Sequence, residues 1–171
     1  MRQRTERERL ECEKMKEAMG KWIAENNFTL FGTATYVHPI NVKIEKAHRD
    51  AAHFARILSR EILGKHLVDR QNTYLPMMMF VERGKYRDNT HLHFFTKGYS
   101  LKHTKQIITL ANDIWKKNID FSLDVLIKDE REAQRRTYTM KEQLAYDDEI
   151  ICPKACFVPP TSLQRHFIQG L

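Results

Sequence analysis

Cysteine is scarce in this chain: 171 residues contain three, Cys12, Cys152 and Cys156. An odd count this low excludes the disulfide framework of a small secreted domain and fits a reducing interior. Cys152 and Cys156 sit in CPKAC, half of a zinc-site spacing, but no second pair completes it. The first residues, MRQRTERERLECEKMKEAMGKW, are too charged for the apolar core of a secretory leader. No apolar run approaches the roughly 18 residues that a membrane-spanning helix needs. Glycine and proline are few, at 6 and 5, so no collagen-like repeat or low-complexity linker is present. G-x-x-x-x-G-K-[ST] occurs nowhere, which removes the usual phosphate loop of a nucleotide-driven motor. These absences predict a soluble intracellular protein, cytoplasmic, with no membrane partner.

What is abundant is positive charge. Lysine and arginine number 29 against 22 acidic residues, a formal charge of +7, in a chain that is 42% hydrophobic. Such a composition builds one ordinary core and favours a polyanionic partner, nucleic acid or an acidic lipid surface.

Periodicity divides the chain into alternating elements. A helix is expected over Arg4–Glu25, with Leu10, Met15, Met19, Trp22 and Ile23 as its apolar stripe. FTLFGTATYV (Phe28–Val37) reads as a strand. Ile44, Ala47, Ala51, Phe54, Leu58 and Ile62 recur at spacings of three and four, with Asn41 as expected N-cap and Gly64 as C-cap. YLPMMMFVE (Tyr74–Glu82) and THLHFFT (Thr90–Thr96) read as a hairpin across a polar connection. A helix after Ser100 is expected to bury Leu101, Ile107, Ile108, Ala111, Ile114 and Trp115. FSLDVLI (Phe121–Ile127) is a strand, and a polar helix is expected from Asp129, with Ala133, Met140 and Leu144 facing inward.

The inner β-α-β-β-α-β order predicts an α+β fold, a ferredoxin-like or RRM-like antiparallel sheet with helices on one face and an extra N-terminal helix. The expected division is a helical extension over residues 1–27, a domain over 28–149 and a C-terminal tail over 150–171.

The hairpin carries the chemistry. Alternation places His91 and His93 on one face of their strand, and Glu82 on the neighbouring strand can share it. Two imidazoles and a carboxylate form a ligand set with open positions, suited to catalysis on a divalent metal. Two histidines that merely face water are the simpler alternative, and the hairpin by itself does not separate the two. Downstream, Tyr138 and Lys141 are three residues apart on a predicted helix, hence surface neighbours. A tyrosine phenol, with an ordinary pKa of about 10, becomes a nucleophile only where its phenolate is stabilised. A nearby ammonium and a metal that polarises the electrophile supply that stabilisation.

Together, FGTATY (Phe31–Tyr36), HLH (His91–His93) with Glu82, and YTMKE (Tyr138–Glu142) resemble, in order, the three motifs of the HUH endonucleases. The closer likeness is to the single-tyrosine replication initiators (Rep proteins) of rolling-circle plasmids, phages and small single-stranded DNA viruses. It covers about Phe28 to Leu144. The resemblance implies metal-dependent nicking and joining of single-stranded DNA through a 5′-phosphotyrosyl intermediate. Tyr138 would be the nucleophile and Lys141 its partner. Glu82, His91 and His93 would bind Mg²⁺ or Mn²⁺, with Glu142 within reach of the metal. The expected partner is single-stranded DNA at a replication origin, with or without a hairpin, and the expected setting is the host cell if the replicon is viral. Unwinding would come from a separate helicase. Thr33, Thr35, Tyr36, Arg83, Lys85, Arg87, Lys97 and Arg135 are candidate DNA contacts, Tyr36 and Tyr86 by stacking on bases. Two alternatives remain open: an HUH transposase or relaxase, and a non-catalytic RRM-like nucleic-acid-binding module.

Overall fold

The computed structural model describes residues 5–38, 40–83, 90–129 and 151–157. Along the chain these form α1 (Glu6–Glu25), β1 (Leu30–Tyr36), α2 (Ile44–Leu63), α3 (Lys65–Gln71), β2 (Met77–Arg83), β3 (Thr90–Thr96), α4 (Leu101–Asn118), β4 (Ser122–Asp129) and a 3₁₀ turn at Pro153–Ala155. The four strands make one antiparallel sheet in the order β2-β3-β1-β4, the ferredoxin-like arrangement, with helices packed against it.

Strand alternation sends two sets of side chains to opposite faces. Leu30, Ala34, Tyr36, Met77, Met79, Val81, Leu92, Phe94 and Val125 meet α2 and α4. There, Ala47, Ala51, Phe54, Leu58, Ile107, Ala111 and Trp115 are fully buried. Each large apolar side chain removed from water in this way contributes about 1.5–3 kcal/mol. Gly32 sits where the layers are tightest, because a Cβ at that position would overlap the Phe94 ring.

The opposite face is half covered. Phe31, Met78, Phe80 and Phe95 pack with Ile23 from the end of α1, with Phe28, and with Ile151 and Cys156 from the C-terminal segment. That segment is a packed part of the sheet. Ile151 bridges to Phe80 and Phe157 to Met77 along the outer side of β2, and the Phe157 ring stacks on Tyr74 at 4.0 Å.

Local details depart from the expectations. Lys43, not Asn41, precedes α2 and makes no side-chain cap. Asn41 Oδ1 instead lies 3.4 Å from the Thr90 hydroxyl, which donates to the neighbouring Val42 carbonyl. Gly64 does end α2, at φ 90°, and its freedom in the left-handed region lets α3 start immediately, a helix that periodicity did not separate. On α4 the buried stripe is Ile107, Ala111, Ile114 and Trp115; Leu101 and Ile108 face solvent at 72% and 50% exposure. Leu10 on α1 is likewise exposed. Phe121, expected as the first strand residue, is held at φ 61° in the turn that feeds β4. No helix among the described residues is long and apolar enough to cross a membrane.

Candidate metal centre

The register places the polar half of the second face in two rows. Glu82, His91 and Thr35 lie opposite one another on β2, β3 and β1, and Phe80, His93 and Thr33 form the next row. Antiparallel neighbours of this kind bring side chains within about 4.5–5.5 Å at Cβ. His93 Nε2 lies 2.8 Å from Glu82 Oε2, and His91 Nε2 lies 3.6 Å from the same oxygen. The two imidazole rings meet edge-on with centroids 4.9 Å apart. One ligand atom from each of the three residues falls within 4.8 Å of the others, so this buried group could hold a metal ion.

The surroundings fix it in place. Glu82 is 3% exposed and His93 4%, so the carboxylate is shielded from bulk water. A buried carboxylate is stable only with a counter-charge, a hydrogen bond or a metal beside it. Phe31 stacks on the His93 ring at 5.3 Å, and Thr33 Oγ1 is 3.0 Å from His93 Nδ1. This hydroxyl suits either imidazole tautomer. It donates to Nδ1 when Nε2–H donates to Glu82, and it accepts from Nδ1–H when Nε2 offers its lone pair to a metal. Thr33→Val keeps the shape and removes that partner. The expected result is a 10- to 100-fold weaker divalent-metal affinity by calorimetry, the usual effect of losing an outer-shell hydrogen bond. An unchanged affinity would make Thr33 a bystander.

The three sequence-predicted ligands are therefore brought together, and Thr33, expected as a DNA contact, joins them. Thr35 lies in the same face and its hydroxyl donates to the Asp124 carbonyl at 3.2 Å. Tyr36 is a correction. It faces the helices, 2% exposed, packs on Trp115 at 5.3 Å and donates to Asp50 at 2.9 Å, so it offers no surface to a base. Burial, then the Asp50 carboxylate, push its phenol far above the ordinary range. Lys97 is also placed elsewhere: its ammonium donates to the Asn26 carbonyl at 2.7 Å, tying the far end of β3 to the end of α1. Desolvation there lowers its pKa. Arg83 ends β2 with the parity of Val81, which points to the helices. Lys85, Tyr86, Arg87, Arg135, Tyr138, Lys141 and Glu142 lie outside the described residues.

Phe31 and Trp115 were not anticipated as supports of the site. Trp115 Nε1 donates to the backbone carbonyl of Thr35 at 2.9 Å, and Thr35 is the cross-strand partner of His91. No protein family, curated protein or solved structure matches this chain at a significant level.

Proposed function

We propose that the protein nicks and rejoins single-stranded DNA at a replication origin, as an initiator of rolling-circle replication. The observation that supports this is the convergence of Glu82, His91 and His93 on one shielded spot of the sheet face turned away from α2 and α4, in the order and on the strands that the resemblance requires. These three residues would hold the metal; two imidazole nitrogens favour Mn²⁺ over Mg²⁺, which prefers an all-oxygen shell. A divalent ion, when bound, polarises the phosphodiester and offsets charge on its oxygens.

The chain supplies the nucleophile. The Tyr138 oxygen forms a bond to phosphorus as the bond from phosphorus to the 3′-oxygen breaks. The products are a 5′-phosphotyrosyl link and a free 3′-hydroxyl, with the phenolic proton ending on the leaving oxygen. Lys141 stabilises the phenolate as it forms. The reverse reaction with another 3′-hydroxyl rejoins the strand, so no nucleotide is consumed, and a separate helicase unwinds the duplex.

The test is a denaturing gel of the protein incubated with labelled single-stranded oligonucleotides tiling a candidate origin. A covalent adduct is expected with Mn²⁺, and none with EDTA or in Tyr138→Phe. Absence of an adduct across the whole tiling set overturns the proposal, and an adduct that persists in Tyr138→Phe overturns the choice of nucleophile.

A further inference from the structure

Two hollows of about 310 and 390 Å³ adjoin at the start of α2, sharing Glu45 and Arg49 in their walls, and together make one groove. Four cations line it: Lys43, Lys46, Arg49 and Lys154. Against them stands the Glu45 carboxylate, while Lys46 is already tied to Asp50 at 2.7 Å. Lys43, Arg49 and Lys154 have no carboxylate partner among the described residues. At the end of the groove stands Phe121, 53% exposed and held at φ 61°, where a bulky side chain is strained. Glycine would meet the needs of that turn, yet a phenyl ring occupies it and leaves the core. Backbone strain that the fold tolerates without using the side chain points to a role outside the fold.

The groove lies at the same end of the sheet as the metal centre, on the opposite face. Thr90, the residue before His91, donates to the Val42 carbonyl at 2.7 Å in the groove wall. On the other wall the Phe121 carbonyl accepts from Val37 N, just beyond the β1 residues that face His91.

Cations along a groove with an exposed aromatic ring are what single strands require, because phosphates meet the charges and bases stack on the ring. We propose that this groove seats a segment of single-stranded DNA at the end of the sheet that carries the metal centre, its phosphates on Lys43, Arg49 and Lys154 and one base on Phe121. The inference rests on the reading of single-stranded DNA as substrate, and it adds a binding track on the helix side of the sheet.

The experiment measures binding of fluorescein-labelled dT20 by anisotropy, with EDTA present and with Tyr138→Phe as the parent chain, so that no cleavage intervenes. Phe121→Leu, which keeps bulk but not the π face, is expected to weaken binding roughly tenfold. The pair Lys43→Ala, Arg49→Ala is expected to weaken it at least tenfold and to lower the salt slope by about two. Lys65→Ala, on α3, leaves both unchanged. Unaltered binding in the groove variants overturns the proposal, as does absence of dT20 binding by the parent or tighter binding of rU20 or duplex DNA. Groove variants that bind normally, alongside a wild-type adduct, sink the track and leave the nuclease. Weakened groove variants without any wild-type adduct sink the nuclease and leave the track.

Discussion

His93→Ala is expected to abolish divalent-metal binding and, with it, formation of the proposed DNA adduct. In wild type, Mn²⁺ at a hundredfold excess over its dissociation constant is expected to add about 2.7 kcal/mol to folding. For a chain of this size that raises the melting temperature by roughly 5–10 °C. The variant is expected to show no such rise, because the missing ligand is the one oriented from both sides, by Thr33 at 3.0 Å and by the Phe31 ring. Losing an outer partner already weakens a site 10- to 100-fold, and losing the ligand itself exceeds that. Without metal, the variant also loses the 2.8 Å hydrogen bond to Glu82 and is expected to be about 1–3 kcal/mol less stable than metal-free wild type. If wild type shows no rise in melting temperature with Mn²⁺, Mg²⁺, Co²⁺ or Zn²⁺, the three side chains form a hydrogen-bonded cluster and nothing more.

The second large effect is structural. Trp115→Ala is expected to cost about 3–5 kcal/mol in urea denaturation, as for other buried aromatics cut to alanine. Its ring is fully buried, edge-on to Phe54 at 5.5 Å and tilted against Tyr36 at 5.3 Å. The indole N–H also satisfies the Thr35 carbonyl, so the variant leaves a backbone acceptor facing a cavity. Because Thr35 opposes His91 across the strands, metal affinity is expected to fall as well, in a variant that changes no ligand. Trp115→Phe restores most of the volume without the N–H. Metal affinity that stays low in Trp115→Phe assigns the coupling to the hydrogen bond, whereas full recovery assigns it to packing.

The metal centre was legible because its physics is local. The alternation of Thr90–Thr96 puts both histidines on one face whatever else the chain does, and the strand has the bounds that alternation predicts. Glu82 required only that the two strands pair with the short connection between them, and they do. The ferredoxin-like class followed from the sequence of elements. Tyr36 was misread because β1 is apolar on both sides: Leu30 and Ala34 face the helices while Phe31 faces the other way, so hydrophobicity alone hides its parity. Counting by twos from Thr33 and Thr35 separates it from the site. Lys97 and Asn26 are 71 residues apart in sequence and meet only through the fold. Ile23 and Ile151 come from opposite ends of the chain to cover Phe31, Phe80 and Phe95, a contact that no window of sequence contains.

The bridges from Ile151 and Phe157 to β2 bear on behaviour at high concentration. Met77–Val81 reads MMMFV, five apolar residues with neither charge nor proline, which is the composition of a segment prone to cross-β stacking. An outer strand of that kind is a template for another molecule's strand unless something occupies its free amides and carbonyls. Here the chain occupies them itself: Met77 exchanges both backbone hydrogen bonds with Phe157, and the Met79 carbonyl accepts from Cys152. The C-terminal segment thus covers much of that edge, and a chain cut before Ile151 is expected to present a sticky edge to its neighbours.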